Sequence, residues 1–244
     1  MDEWADALTS CDDLDWGGYD DWRLPNEHEL MSIVDYGKSY APFVDSTAFQ
    51  VTPSGVGSPD SFFWSSSTRA ANPTKAAYVA FGNGNVNTDE KANAYYARCV
   101  RGEVESLEER FVRDTSAAGF PVVTDNATGL VWQGCASGLT GDTCGTGGEV
   151  SVTWSEALAA CEGLSWAGLD DWRLPSLDEL HSIADNHVEV PAIDTIAFPG
   201  TPSTTFWSSS SRAAYSSYAW AVRFDYGNAG NHPKSDSAYV RCVR

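Results

Sequence analysis

The sequence predicts an α+β protein of two tandem modules, each with two helices and a small antiparallel sheet and each closed by a disulfide bond. Three observations predict this. The hexapeptide Asp-Asp-Trp-Arg-Leu-Pro occurs at residues 20–25 and again at 170–175. Helix-like segments precede strand-like segments in both copies. Each copy also has one Cys near its start and one near its end. A shared hexapeptide containing Trp, Arg and Pro is very improbable by chance, so the chain is a duplication.

The alignment of the copies sets the domain boundaries. Residues 4–35 have their counterparts 150 positions later, and residues 63–99 have theirs 143 positions later. The second copy is therefore shorter by 150 − 143 = 7 residues, lost between Asp35 and Phe63. Insertions and deletions concentrate in exposed loops, so we expect a surface loop there. The prediction is a first module at 1–101, a linker at 102–119 and a second module at 120–244.

Each copy begins with a sequence pattern typical of a helix. Trp4, Leu8 and Cys11 follow the i, i+4, i+7 spacing of one helix face, and the same stripe recurs 150 positions later. The repeated hexapeptide leads into a second helix. Its N-cap is Asn26, with Glu29 three residues on, which is the pattern of a capping box. Ser176 and Glu179 repeat it in the second copy.

Strand signals follow. Phe-Trp-Ser-Ser-Ser at 63–67 and 206–210 predicts a buried strand that enters a polar turn. Residues 77–81 and 219–224 alternate as strands do, and a strand closes each copy. A further hairpin is predicted at 120–133, turning at 125–129. It has no counterpart before Trp4, so the first module lacks its opening hairpin. Either that copy has lost it or Met1 begins a trimmed segment, and we favour trimming.

The six Cys predict three disulfides. Cys11 aligns with Cys161 and Cys99 with Cys242, so pairing within each copy is the simplest of the 15 possible connectivities. Cys135 and Cys144 flank a loop found only in the second copy and would form a local bridge. Free or metal-bound thiols are the alternative. A zinc site is disfavoured because no Cys-x-x-Cys occurs and His is scarce. Disulfides indicate a protein outside the reducing cytosol.

Composition excludes several partners. A net charge of −19 repels phosphate backbones, so we expect no nucleic-acid partner. No apolar run of 18 residues exists, so the chain is not expected to span a membrane. No signal sequence is recognisable in the chain, so a secreted protein would carry its signal upstream.

The repeated acidic pairs have two interpretations. In the first, one Asp caps a turn and the other pairs with the neighbouring Arg. The Asp pair recurs together with the same Arg, Leu and Pro, and this recurrence favours the first interpretation. In the second, Ca²⁺ binds there. The calcium candidates are Asp20, Asp21, Asp170 and Asp171. We expect no other cofactor.

Asp-Asp-Trp-Arg-Leu-Pro, Phe-Trp-Ser-Ser-Ser and the terminal Arg-Cys-Val-Arg together make the chain similar to the Lcl C-terminal domain family. These are domains of bacterial surface proteins, named for the binding region of collagen-like adhesins. The resemblance covers nearly all of residues 4–101 and 120–244. It implies an extracellular or cell-surface location, a C-type-lectin-like or related α+β fold and ligand binding, with glycosaminoglycan-type sugars implicated for the adhesins. The net charge of −19 argues against such polyanions and favours neutral sugars or proteins.

Candidate binding residues are sought where the copies differ. Trp22, Trp64 and their counterparts recur beside apolar neighbours, which is typical of core residues. Aromatic side chains of the last stretch without a counterpart, together with the polar residues around them, are better candidates, and Tyr, Ser and Asn are efficient contact residues. Ordinary exposed loop residues are the alternative. The candidates are Tyr215, Tyr218, Trp220, Arg223, Asp225, Tyr226, Asn228, Asn231, His232 and Lys234.

No enzyme signature is found. The Ser runs lack a Gly-x-Ser-x-Gly elbow, and no His recurs in both copies as a base. We therefore expect a non-enzymatic protein that recognises a surface glycan or protein ligand through loops of the second module. One alternative is a structural repeat unit of a fibre or stalk, in which the chain self-associates. Another is a variable protein of a diversity-generating retroelement, since residues 211–239 resemble such diversified stretches.

Overall fold

A computed structural model describes residues 1–49, 62–102, 110–185, 188 and 190–244. It divides the chain into two compact units, Met1–Glu105 with Ala213–Tyr215, and Ser106–Arg212 with Ser216–Arg244. Below, the first module means residues 1–102 and the second module residues 110–244. Residues 103–109 of the expected linker lie outside the described residues.

Both modules begin with short helices and continue with antiparallel strands. The first module contains α1 (Trp4–Asp12), β1 (Trp22–Arg23), α2 (Glu27–Met31), β2 (Phe62–Thr68), β3 (Lys75–Ala80), β4 (Asn85–Glu90) and β5 (Val100–Arg101). The second contains β6 (Phe111–Asp114), β7 (Val122–Asp125), β8 (Val131–Gln133), β9 (Leu139–Thr140), β10 (Thr146–Gly147), α3 (Trp154–Glu162), α4 (Leu177–Ser182), β11 (Thr205–Ser211), β12 (Tyr218–Arg223) and β13 (Asn228–Pro233). The expectation of an α+β chain holds at this level.

Each module has a three-stranded antiparallel sheet, ordered β2-β3-β4 in the first and β11-β12-β13 in the second. Trp64 and Trp207 lie in the leading strands and are fully buried. The indole N–H of Trp64 donates to the carbonyl of Asp2 at 3.2 Å, and that of Trp207 to Val152 at 2.9 Å. The repeated Phe-Trp-Ser-Ser-Ser therefore supplies the centre of each core, as predicted for these residues.

The opening hairpin is confirmed. β7 pairs with β8 through a turn at residues 126–130, and β6 adds a third strand. β6 lies within the expected linker, so residues 111–114 belong to a sheet of the second module. The buried carboxylate of Asp125 begins the turn and accepts two hydrogen bonds from Arg110, at 2.8 and 2.7 Å. Burial raises the pKa of Asp125, but the hydrogen bonds from Arg110 outweigh it and hold the pKa below its usual value.

Capping boxes begin α2 and α4. The side chains of Asn26 and Ser176 accept from the backbone N–H of the Glu three residues on, and that Glu accepts from the cap residue's N–H. The same Glu residues receive a bidentate Arg, with the Nη1–Oε2 distance 2.7 Å in both Arg23–Glu29 and Arg173–Glu179. One carboxylate thus joins the hexapeptide to the helix that follows it.

The three disulfides join Cys11 to Cys99, Cys161 to Cys242 and Cys135 to Cys144. All three are the predicted pairs, the first two from the alignment and the third from the loop that Cys135 and Cys144 flank. The first two tie the opening helix of a module to its last segment, across sequence separations of 88 and 81 residues. A cross-link of that span removes much of the conformational entropy of the unfolded chain.

The expectation of a surface loop between Asp35 and Phe63 is wrong for part of that segment. Phe43 and Val44 are buried, and residues 42–49 match residues 191–198 at an offset of 149. In both modules this segment donates a backbone hydrogen bond of 2.7 Å to the strand-end Phe, Phe43 to Phe81 and Ala192 to Phe224. The length difference therefore divides into 150 − 149 = 1 residue before Pro42 and 149 − 143 = 6 after Phe49. Residues 50–61 lie outside the described residues.

Candidate functional site

The repeated hexapeptide forms a structural corner. Asp21 pairs with Arg101 at 2.9 Å and Asp171 with Arg244 at 2.8 Å. The expected partner was the neighbouring Arg of the motif, but that Arg is held by the capping-box Glu. The hydrogen bond from Arg101 lowers the pKa of Asp21.

The calcium candidates do not cluster with other acids. Asp20 and Asp170 are exposed, and their neighbours Asp21 and Asp171 face arginines. Within the part of the chain that the structure describes, no three His, Cys, Asp or Glu side chains come together as metal ligands.

The repeated Ser residues also have structural partners. The hydroxyls of Ser65 and Ser208 are buried and donate to the carbonyls of Ala77 and Trp220, at 2.9 and 2.7 Å. The third Ser of each triplet accepts from the first backbone N–H of the capped helix that precedes the sheet in the chain, at 3.0 Å in both modules. The triplets join the sheet to the helix.

Lys234 is a correction to the predicted site. It aligns with Lys91 at the offset of 143, and the two lysines have the same environment. Lys91 Nζ lies 3.8 Å from the ring centroid of Trp4, and Lys234 Nζ lies 3.9 Å from that of Trp154. Each also donates to a hydroxyl at the end of the leading strand. Lys234 is therefore part of the repeated frame, contrary to its inclusion among the candidate binding residues.

Trp220 is a second correction, because it is completely buried. It lies in β12, the central strand of its sheet, opposite Asn231 on β13. Its counterpart Ala77 is buried too, so the position belongs to the core in both modules despite the change in side chain. An indole with no exposed surface cannot stack on a ligand.

The other predicted residues do not form one surface. Tyr215 precedes β12 in the chain and clusters with the first compact unit, whereas Tyr226 follows β12 within the second. Directly paired residues share a face of the sheet and successive residues alternate, so the strand residues divide as well. Tyr218, Trp220 and Asn231 lie on one face, and Arg223, Asn228 and His232 lie on the other.

Asn231 and His232 are engaged inside the module. The side-chain oxygen of Asn231 accepts from Arg212 at 2.8 Å. The His232 ring lies edge-on to buried Trp207, with centroids 6.4 Å apart. Burial lowers the pKa of His232, outweighing the opposing effect of Asp236, so the ring is neutral at pH 7.

One compact group remains, in the turn between β12 and β13. We call Arg223, Asp225 and Tyr226 the turn site. The guanidinium of Arg223 makes two hydrogen bonds to the Asp225 carboxylate, the Nε bond being 3.1 Å, and lies 5.3 Å from the Tyr226 ring centroid. Tyr226 is 40% exposed. The matched positions of the first module hold Ala80, Gly82 and Asn83, so this chemistry occurs in the second module alone.

A buried histidine and the loop between α4 and β11 lie next to the turn site. His181 Nε2 lies 2.9 Å from the carbonyl of Gly227, inside the turn, and His181 is itself buried in α4. The Ala192–Phe224 backbone bond places the adjacent loop beside the turn, and that loop carries exposed Val190. Sequence reasoning missed Val190 because the loop was treated only as a length difference.

A family model, the Lcl C-terminal domain, matches residues 1–101 and 121–244. The chain belongs to the Lcl C-terminal domain family. The two matched ranges correspond to the two tandem copies. No curated protein matches the chain.

Two properties bear on where such a chain works. The described residues contain no helix long and apolar enough to cross a membrane. All six Cys are disulfide-bonded, which is compatible with an oxidising, extracellular environment.

Proposed function

We propose that this chain is an extracellular, adhesin-like recognition protein whose second module binds a carbohydrate or protein ligand at the turn site. One observation carries the proposal. Arg223, Asp225 and Tyr226 form a connected, partly exposed group at a position where the first module has Ala, Gly and Asn. Residues that the fold requires recur in both modules, whereas these do not.

The chemistry of the turn site suits a neutral polar ligand. Arg223 supplies N–H donors, the Asp225 carboxylate supplies acceptors and the Tyr226 ring supplies a flat surface for stacking. The Arg and Asp charges balance each other locally. A net charge of −19 over the whole chain disfavours polyanionic glycans.

We further propose that each module is C-type-lectin-like. The order of two helices followed by an antiparallel sheet supports this, as does the disulfide between the first helix and the last segment. In such a frame the turns between strands are the natural place for recognition, because a rigid scaffold positions them.

Recognition in this proposal involves neither catalysis nor a metal ion. The repeated Ser hydroxyls are committed to helix and strand contacts, and Asp21 and Asp171 face arginines. A chelator is therefore expected to leave both ligand binding and the melting temperature unchanged. A drop in ligand binding or in the melting temperature on chelation would indicate that Ca²⁺ binds to the protein.

The test is a binding screen with matched variants. The full chain is applied to a glycan array and to a panel of immobilised extracellular-matrix proteins, and hits are compared with the Arg223→Ala/Tyr226→Ala variant. We expect binding to weaken at least about tenfold, with the melting temperature unchanged. Tyr215→Ala removes an exposed Tyr from the opposite end of β12 and should bind as the unaltered chain does. Loss of binding in Tyr215→Ala alone would move the site to that end.

A further inference from the structure

Arg241 carries a positive charge into the core of the second module, where its side chain is completely buried. It lies in the segment 238–244, which pairs with β8 through a hydrogen bond of 2.9 Å from Gln133 N–H to the carbonyl of Cys242. Arg241 Nη1 donates to the carbonyl of Gln133 and Nη2 donates to the hydroxyl of Thr201, each at 2.7 Å. Both acceptors are neutral, so neither compensates the charge of the guanidinium.

The charged side chain that acts on Arg241 is a second arginine. Arg113, on β6, donates to the carbonyls of Gly134 and Ala197 at 3.0 and 2.7 Å. Burial and the charge of Arg113 lower the pKa of Arg241 to about 9, so Arg241 is still protonated at pH 7. Among the described residues neither arginine forms an ion pair with a carboxylate, although the chain has 34 acidic residues. The carboxylate of Asp142, which acts on Arg113, is exposed.

Two buried N–H donors of this region have no acceptor among the described residues. They are Nε of Arg241 and the indole Nε1 of Trp132, and both side chains are completely buried. Trp132 lies opposite Val243, and Arg241 lies two residues before Val243. Trp132 and Arg241 therefore project from the same face of the paired segments, at a diagonal position where long and aromatic side chains reach each other. A buried donor without an acceptor costs stability, so a ligand that accepts from both donors is favoured.

The surroundings of the two donors select the kind of acceptor. The ring centroid of Phe198 lies 4.8 Å from the guanidinium carbon of Arg241, and both Phe198 and Val243 are fully buried. An enclosed, apolar environment disfavours sulfate and other strongly hydrated divalent anions, because their hydration is lost on entry. A water molecule accepts hydrogen bonds but leaves the charge of Arg241 uncompensated. A small monovalent anion supplies both the acceptor and the opposite charge.

We propose that the second module binds a chloride ion in its core, held by Arg241 Nε and Trp132 Nε1. The ion accepts a hydrogen bond from each donor, and its charge offsets those of Arg241 and Arg113. Because Trp132 belongs to β8 and Arg241 to the segment 238–244, the ion strengthens the attachment of the β7–β8 hairpin to the rest of the module. None of these residues belongs to the turn site, so the chloride site does not depend on the proposed function.

Bromide diffraction locates the ion directly, because bromide replaces chloride and scatters X-rays anomalously. The intact chain is crystallised in sodium bromide at an ionic strength of about 0.15 M. We expect an anomalous peak within hydrogen-bonding distance of both Arg241 Nε and Trp132 Nε1. A water molecule that bridges the two donors at this concentration overturns the proposal, and so does the absence of a bromide peak between them. This result decides the proposal even where a variant fails to fold.

Thermal melting in solution separates chloride binding from general salt screening. Sodium chloride is compared with sodium gluconate, whose anion is too large for a buried site, at the same ionic strength. We expect chloride to raise the melting midpoint by at least about 3 °C, because a ligand that binds only the folded state stabilises it. Trp132→Phe removes one donor and should raise the apparent Kd for chloride at least about tenfold. Trp16→Phe makes the same change at an exposed indole and should leave the chloride response intact. Equal midpoints of the unaltered chain in the two salts overturn the proposal, as does an unchanged response in Trp132→Phe.

Discussion

The two modules share the contacts of their repeated motifs and differ in what covers the last strand. Arg23–Glu29, Asp21–Arg101 and the Lys91–Trp4 contact all recur 143 or 150 residues later. Yet Trp166 is 5% exposed and Trp16 is 67% exposed. Identical local sequence therefore fixes local geometry, while exposure depends on a hairpin that only the second module possesses among the described residues.

Arg241 and its counterpart Arg98 differ in burial, as the two tryptophans do. Arg241 is fully buried and donates to the carbonyl of Gln133 and to the hydroxyl of Thr201, each at 2.7 Å. Its counterpart Arg98 is half-buried and lies over the rings of Phe49 and Phe63. The covering hairpin supplies the acceptor that allows a guanidinium to be buried, since an unpaired buried charge would be very costly.

The largest expected effect should be shared by both modules. Removing either long disulfide, as Cys11→Ala/Cys99→Ala or Cys161→Ala/Cys242→Ala, should cost about 4 kcal/mol of that module's unfolding free energy, because the two loops are of similar length. Urea unfolding followed by NMR signals of each module measures it. If the unfolding free energy of the first module did not change on removal of its disulfide, the two modules would not be equivalent in this respect.

The next effect should separate the modules. Trp166→Ala removes a buried ring and its hydrogen bond, and should cost about 3 kcal/mol. Trp16→Ala removes an exposed ring that packs on Trp22 with centroids 5.7 Å apart, and should cost about 1 kcal/mol or less. The same unfolding measurement applies. Equal losses would mean that Trp16 is covered in solution.

The capping-box glutamates of α2 and α4 should make the same contribution to acid sensitivity in the two modules. Hydrogen bonds from Arg23 lower the pKa of Glu29; burial raises that of Glu179, but the hydrogen bonds from Arg173 outweigh it and lower it. A lowered folded pKa gives stability that is present above the unfolded value of 4.5 and lost as pH falls through the folded pKa. The Glu29→Gln/Glu179→Gln chain should therefore be about 1 kcal/mol less stable per module at pH 7. It should also lose less stability below pH 4.5. If the pH–stability curves of the variant and of the unaltered chain ran parallel, they would contradict this prediction.

The smallest effect sharpens the assignment of Lys234. Lys91→Met and Lys234→Met each remove a cation–π contact and one hydrogen bond, and each should cost about 0.5 kcal/mol by thermal melting. Neither should change ligand binding. A binding defect confined to Lys234→Met would mean that Lys234 contributes to ligand binding.

The features that the sequence predicted are those set by local spacing. The capping boxes depend on a cap and a Glu three residues apart, and the disulfides on aligned Cys positions. Trp220 could not be placed, because its burial comes from partners on both sides of β12 rather than from its neighbours in sequence. Lys234 could have been placed, since the offset of 143 leads to Lys91. The segment at 42–49, in which Phe43 and Val44 are buried, was missed because one residue shifts its alignment.

Hydroxyl-radical footprinting of the intact chain tests the central comparison most directly. Mass spectrometry of the peptides that contain Trp16 and Trp166 gives the oxidation rate of each indole in one experiment. An exposed Trp16 and a buried Trp166 predict that Trp16 is oxidised at least about tenfold faster than Trp166, since solvent exposure sets the rate. Equal protection of the two indoles would contradict the account.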